Sequence, residues 1–228
     1  MRASGAEHTL AGRRVSLRFG LAWKQGGPLQ TSGRDTDNTR AEVLADIPDL
    51  LPGPSDLPLS VLFCGVNAPM LTVSTGQHFA RAGNRFWPTL HGAGFTPRLL
   101  APTEHRELAA LGYGITKLVT RSTARADELG AAELSGGVPR LTDLATRTHP
   151  RWIAFLGVTA FRVAFALPKA GFGPQDLRIA EARVWVLPNP SGLNRRWSLP
   201  ALVAEYSRLR EVATNTAKNT ANGDTAAV

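Results

Sequence analysis

Two polar segments carry residues suited to chemistry. The first runs Gly65-Val66-Asn67-Ala68-Pro69-Met70, passes Gln77-His78-Phe79-Ala80 and closes on Gly83-Asn84-Arg85-Phe86-Trp87. The second is Pro188-Asn189-Pro190-Ser191-Gly192-Leu193-Asn194-Arg195. The carboxamide of Asn67 both donates and accepts hydrogen bonds but is no base at neutral pH. It can orient a reactant without deprotonating it, or it can simply close a turn at a strand end. The ring of Phe79 is either a stacking platform or a core aromatic. Leu193 is apolar at the tip of a polar loop, which is costly unless it has a target; the alternative is a turn with a buried leucine. Gly192 leaves the backbone bare for close approach. Asn194, Arg195 and Arg196 beside it suit phosphate contacts. Lys117 lies within an apolar stretch. It either serves a site, in the extreme as a Schiff-base nucleophile, or reaches solvent from a strand end. Phe86 and Trp87 read as core, Asn84 as a helix N-cap, Trp197 as an anchor for the following helix, and His78 as a lone surface histidine.

The elements that must position these residues alternate strand and helix. Val61–Val66 is a continuous apolar run suited to a buried strand. Further strands are expected at Ile115–Val119, Trp152–Leu156 and Arg183–Leu187. Helices are expected at Arg85–Ala93, Thr103–Leu111, Ala131–Thr148 with a break near Gly136-Gly137, Thr159–Phe165 and Ser198–Val212. Strands separated by helices imply a three-layer α/β/α sandwich around a mainly parallel sheet of four to five strands. In such a sheet ligands bind beyond the carboxyl ends of the strands. Both polar segments begin there, one after Val61–Val66 and one after Arg183–Leu187.

The 228 residues are 43% hydrophobic and 19% charged, enough for a folded core and too polar for a membrane span. Residues 1–56 read as a flexible amino-terminal arm and linker punctuated by Pro48, Pro52 and Pro54. Residues 57–212 read as the folded domain, and 213–228 as a disordered tail rich in Ala, Thr and Asn. Basic and acidic side chains cancel in the arm and in the tail, so the net charge of +8 lies wholly on the domain. Such a domain attracts polyanions, nucleic acid above all. The same excess is what a high-arginine proteome produces. The single cysteine, Cys64, excludes an internal disulfide, a Cys₄ zinc site and an iron–sulfur cluster, and fits a reducing compartment.

Gly65-Val66-Asn67, then Phe79-Ala80, then Asn84-Arg85-Phe86-Trp87 resembles the first active-site region of the mismatch-specific uracil/thymine-DNA glycosylases. Val186-Leu187-Pro188-Asn189-Pro190-Ser191-Gly192-Leu193 is similar to that family's second active-site loop, and Gly114–Val119 to an internal segment. The resemblance covers residues 60–212. It implies a monofunctional glycosylase that flips uracil from a mismatch with guanine and hydrolyses its bond to the sugar. Thymine and ethenocytosine are further candidate substrates. By resemblance, Asn67 holds the attacking water and Lys117 helps arrange the site, bonding Asn67 or a phosphate. Val66, Phe79, Ala80 and Asn189 form the base pocket. Gly192 reads the orphaned guanine, Leu193 wedges into the duplex, and Asn194 and Arg195 touch the opposite strand. The family's partner is double-stranded DNA with a U·G or T·G mismatch. A monomer is expected, cytoplasmic and nucleoid-associated in a bacterium, with no metal, cofactor or membrane.

One departure stands beside Asn67. The family has Pro-Gly-Leu where this chain has Ala68-Pro69-Met70. That change keeps open a second class, a protein that recognises damaged DNA on the same fold without cutting it. A metabolic nucleotide-binding enzyme is disfavoured, since the chain lacks a Gly-x-Gly-x-x-Gly or P-loop sequence.

Overall fold

The computed structural model describes residues 46–125 and 128–223, together with two short strands nearer the amino terminus. Those two, β1 (His8–Leu10) and β2 (Arg13–Val15), pair antiparallel with His8 opposite Val15. They belong to a separate compact unit spanning Met1–Leu44. The rest of the expected flexible arm up to residue 45, and residues 224–228 of the expected tail, lie outside the described residues.

The second unit is built on a five-stranded sheet in the order β4-β3-β5-β7-β6. Its strands are β3 (Val61–Gly65), β4 (Tyr113–Lys117), β5 (Trp152–Leu156), β6 (Gly173–Ile179) and β7 (Ala182–Leu187). β4, β3, β5 and β7 run parallel. β3 and β5 are buried at every position, as their unbroken apolar sequences require. β6 completes one edge antiparallel to β7, with a bulge between Gln175 and Arg178. Its sequence hides it: Pro174 and the charged Asp176 and Arg178 are tolerated because the strand is an edge.

Among the described residues seven α-helices accompany the sheet: α1 (Met70–Thr75), α2 (Phe86–Gly92), α3 (His105–Ala110), α4 (Ala131–Gly136), α5 (Val138–Thr148), α6 (Val158–Ala164) and α7 (Leu199–Gly223). The two faces of the strands feed two cores. Val61, Phe63, Ile115, Trp152 and Leu187 pack with α2, α3 and α7. Leu62, Cys64, Ile153, Phe155 and Val186 pack with α4, α5 and α6. This is the three-layer α/β/α architecture implied by the strand and helix alternation. The break between α4 and α5 falls at Gly137, where a Cβ would stand 2.3 Å from the carbonyl oxygen of Leu118.

Two boundaries differ from expectation. Residues 46–50, assigned to the arm, are part of the fold: Ile47 and Leu50 are buried, and Leu50 exchanges both backbone hydrogen bonds with Ile115 at 2.9 and 2.8 Å. Asp49 accepts from the Thr116 hydroxyl and pairs with Arg140, each at 2.7 Å. Apolar burial and a closed polar network hold this segment despite Pro48 and Pro52. At the other end, α7 continues through residues 213–223, which were assigned to the tail. Among the described residues no helix is long and apolar enough to cross a membrane.

Candidate active site

The four parallel strands present their carboxyl ends along one edge of the sheet. Asn67 lies just past β3, where the ladder to the neighbouring chain continues: Leu118 N–H donates to Gly65 O and Val119 N–H to Val66 O, each at 2.9 Å. The loop after β4 then fixes the Asn67 side chain. Its Nδ2 donates to Arg121 O at 3.1 Å and to Thr123 Oγ1 at 2.6 Å. Thr123 Oγ1 in turn donates to Arg125 O at 2.7 Å. With Nδ2 so engaged, Oδ1 is the acceptor left for a reactant; it takes no hydrogen bond among the described residues.

Asn67, Phe79 and Lys117 line one cleft, with Gly65, Ile47, Thr116 and His78 among its other walls. Phe79 sits in the left-handed region at φ 56°. Its ring stacks on Phe86 with centroids 3.9 Å apart and 21° between planes, and is half-buried. Phe86, fully buried, thereby fixes the plane of the half-buried Phe79 ring.

Lys117 is buried and does not bond Asn67. Its ammonium forms an ion pair with Asp46 Oδ1 at 2.9 Å and donates to Ile47 O. Residues 46–47 therefore reach the cleft wall and engage the lysine, in place of the expected bond to Asn67. An amine tied to a carboxylate and a carbonyl is also poorly placed as a free nucleophile.

His78 is buried rather than a surface residue. Its Nε2 donates to Pro48 O at 3.1 Å, which places the ring proton on that nitrogen. Its own carbonyl accepts from Trp87 Nε1 at 3.0 Å. Burial, then the nearby His105 and Lys117, lower its pKa from 6.5 to about 4. The ring is neutral at pH 7.

The second loop leaves β7 at the same edge. Its first carbonyl, Pro188 O, accepts from the buried Tyr206 hydroxyl at 3.2 Å, and burial raises that phenol's pKa. Asn189 Oδ1 accepts from Ser191 N–H at 2.9 Å, and Asn189 O from Asn194 Nδ2 at 3.0 Å. Both asparagines thus shape the loop itself; Asn189 does not line the cleft with Asn67. Val66 does not line the cleft; its side chain is buried in the core with Cys64. Ala80 lines an adjoining groove with Phe79 and Trp87. Leu193 is 64% exposed, so the buried-leucine alternative fails. Gly192 and Arg195 are exposed beside it.

Two links tie this loop to the first region. A Cβ on Gly192 would stand 2.4 Å from Gly83 O, so the two backbones touch. Arg85 donates from Nη2 to Ser191 O at 2.7 Å and to Asn194 O at 2.9 Å, and from Nη1 to Trp197 O. Its backbone N–H donates to Pro190 O at 3.0 Å. Asn84 Oδ1 accepts from Phe86 N–H at 2.9 Å, but the N-cap of α2 is Arg85, one residue after the position the N-cap reading gave it. Sequence reasoning passed over Arg85, Thr123 and residues 46–47. The apolar pair Ile47 and Leu50 amid a polar leader was a signal for the last; nothing local marks Thr123.

Among the described residues no group of three or more His, Cys, Asp or Glu side chains is placed to hold a metal ion. The model of the uracil-DNA glycosylase superfamily matches residues 52–213. That span holds the whole five-stranded sheet and both loops at its carboxyl edge, and the chain accordingly belongs to the uracil-DNA glycosylase superfamily, whose members hydrolyse the N-glycosidic bond of a base in DNA.

Proposed function

We propose that this chain is a monofunctional, mismatch-directed glycosylase that removes uracil opposite guanine, with thymine and ethenocytosine as further candidates. The observation that carries the reading is the pairing of Asn67 with Phe79 in one cleft, the carboxamide oriented with its acceptor available. The flipped base stacks on Phe79. Asn67 Oδ1 accepts a hydrogen bond from water and aims its oxygen at C1′. As the bond to the base lengthens, the sugar gains oxocarbenium character, and backbone N–H groups near Phe79 and Ala80 stabilise the departing base. Asn67 orients but does not deprotonate; the water loses its proton only as its bond to C1′ forms, to the departing base anion or to solvent, so the reaction relies on a good leaving group and on fixed geometry. Leu193 fills the gap in the duplex, Gly192 approaches the orphaned guanine, and Asn194 and Arg195 contact the opposite strand. Lys117 supports the cleft wall through Asp46 and Ile47. The protein acts on bacterial nucleoid DNA as a monomer.

The test is single-turnover base release from U·G, U·A, T·G and single-stranded uracil, by the wild type and by Asn67→Ala. Release from U·G that vanishes in the variant supports the reading; preference for U·G over U·A supports its mismatch component. The second reading, damage recognition without cutting, draws on Ala68-Pro69-Met70, where Met70 is exposed. Tight binding of U·G duplex with no release by the wild type would favour it.

A further inference from the structure

Leu193 is 64% exposed, so burial of its side chain does little to fix its place. Its position depends on the backbone that carries it. Within the loop, Asn194 N–H donates to Ser191 O at 2.9 Å and Arg195 N–H to Leu193 O at 3.1 Å, while the Leu193 N–H to Ser191 Oγ bond is long at 3.3 Å. These bonds shape the turn but do not fix it to the rest of the domain; the anchors that do so come from outside. Arg85 Nη2 grips the carbonyls of Ser191 and Asn194, which flank Gly192-Leu193 on either side. Nη1 holds the carbonyl of Trp197, and the Arg85 backbone holds that of Pro190. One residue thus fastens four carbonyls of the 190–197 segment. The same residue directly precedes Phe86, on which Phe79 stacks. Arg85 has no carboxylate within ion-pair distance among the described residues, and its Nη donors go to these carbonyls while Nε is buried without a hydrogen-bond partner.

We infer that Arg85 is a positioning residue for the reaction, a clamp that sets the Leu193 tip in register with the Phe79 platform. The inference rests on the glycosylase reading and assigns it a residue that touches neither base nor sugar. A planar guanidinium spreads its donors over a fixed fork; the three donors of an ammonium radiate from one nitrogen and do not match carbonyls spaced across that fork. With the clamp intact, the tip meets the duplex already ordered. Without it, each encounter must first freeze a mobile loop, which opposes base flipping but not hydrolysis of a base already free of the stack.

The experiment combines two readouts on full-length wild type, Arg85→Ala, Arg85→Lys, Leu193→Ala and the double variant Arg85→Ala/Leu193→Ala. One is single-turnover release from duplex U·G and from single-stranded uracil. The other is the fluorescence of 2-aminopurine placed beside the uracil, which brightens when the stack opens and needs no cleavage. Arg85→Ala is expected to slow duplex release on the order of tenfold while single-stranded release falls far less. Arg85→Lys is expected to behave the same way, and it serves as the test should Arg85→Ala not fold. The double variant is expected to be no slower than Leu193→Ala alone, since both changes disable one device. Brightening should fall in parallel. Equal loss on both substrates, additive losses in the double variant, or unchanged brightening in the arginine variants would overturn the clamp. Absence of release by the wild type would instead defeat the glycosylase reading, and the fluorescence would still decide the clamp.

Discussion

Thr123 Oγ1 lies 2.6 Å from Asn67 Nδ2, in a loop that leaves the neighbouring strand. With the longer bond from the same Nδ2 to Arg121 O, it holds the amide end of the carboxamide and leaves Oδ1 for the cleft. If Asn67 orients water through Oδ1, its rotation must be restrained from the amide end. Thr123→Val keeps the shape and removes the acceptor. It is expected to slow uracil release on the order of tenfold, the equivalent of one lost hydrogen bond, while duplex affinity stays near wild type. Asn67→Ala is expected to remove most release and leave binding. Wild-type kinetics for Thr123→Val would show that Arg121 O alone orients the amide.

Leu193 and Gly192 should separate by stability and substrate. Leu193 is exposed, so Leu193→Ala should leave the melting temperature unchanged. It should impair release from duplex more than from single strands. Gly192→Ala places a methyl group 2.4 Å from Gly83 O and must push the loop away. It should show the same substrate-selective loss. Thermal unfolding and paired duplex and single-strand assays check both; a uniform loss across substrates would remove the wedge role.

Residues 46–50 should behave as core. Leu50 is 3% exposed and carries a two-bond bridge to Ile115. Leu50→Ala is expected to cost about 2–5 kcal/mol, the range for truncating a buried leucine. Urea unfolding measures it. A loss within about 0.5 kcal/mol, the usual size for surface substitutions, would return this segment to a detachable arm.

His78 should make stability fall in mild acid. The unfolded imidazole titrates near 6.5 and the folded one near 4. Between those values the unfolded chain binds a proton that the folded chain refuses. The contribution is complete above pH 6.5 and is lost progressively as the pH falls towards 4, by at most about 3 kcal/mol. His78→Gln keeps a donor for Pro48 O and cannot titrate, so its stability should depend less on pH in that window. Urea unfolding at several pH values compares the two; identical slopes would remove His78 as the source.

Much of the site was legible because its signals are local. Asn67 follows a short run of apolar residues rich in β-formers, which suits an interior strand of a covered sheet. Leu193 sits among Ser, Gly, Asn and Arg, and an apolar tip there has no local excuse. The break at Gly136-Gly137 was readable from the glycines alone. β6 was missed because an edge strand tolerates Pro174 and charges that would rule out an interior one. His78 was misread because a polar residue between Gln77 and Phe79 carries no mark of burial; the walls that cover it come from Pro48 and His105.

The amino-acid sequence by itself determined the alternation of strand and helix, and with it the parallel sheet. It also placed the polar segments bearing Asn67 and Leu193 at the ends of β3 and β7. These follow from periodicity and turn chemistry, which act over a few residues. Tertiary structure alone decided which polar groups meet. Lys117 takes the carbonyl of a residue 70 positions away, and Arg85 takes carbonyls more than 100 positions away. A buried charge or donor must find a partner wherever the fold supplies one, and sequence distance does not enter that requirement.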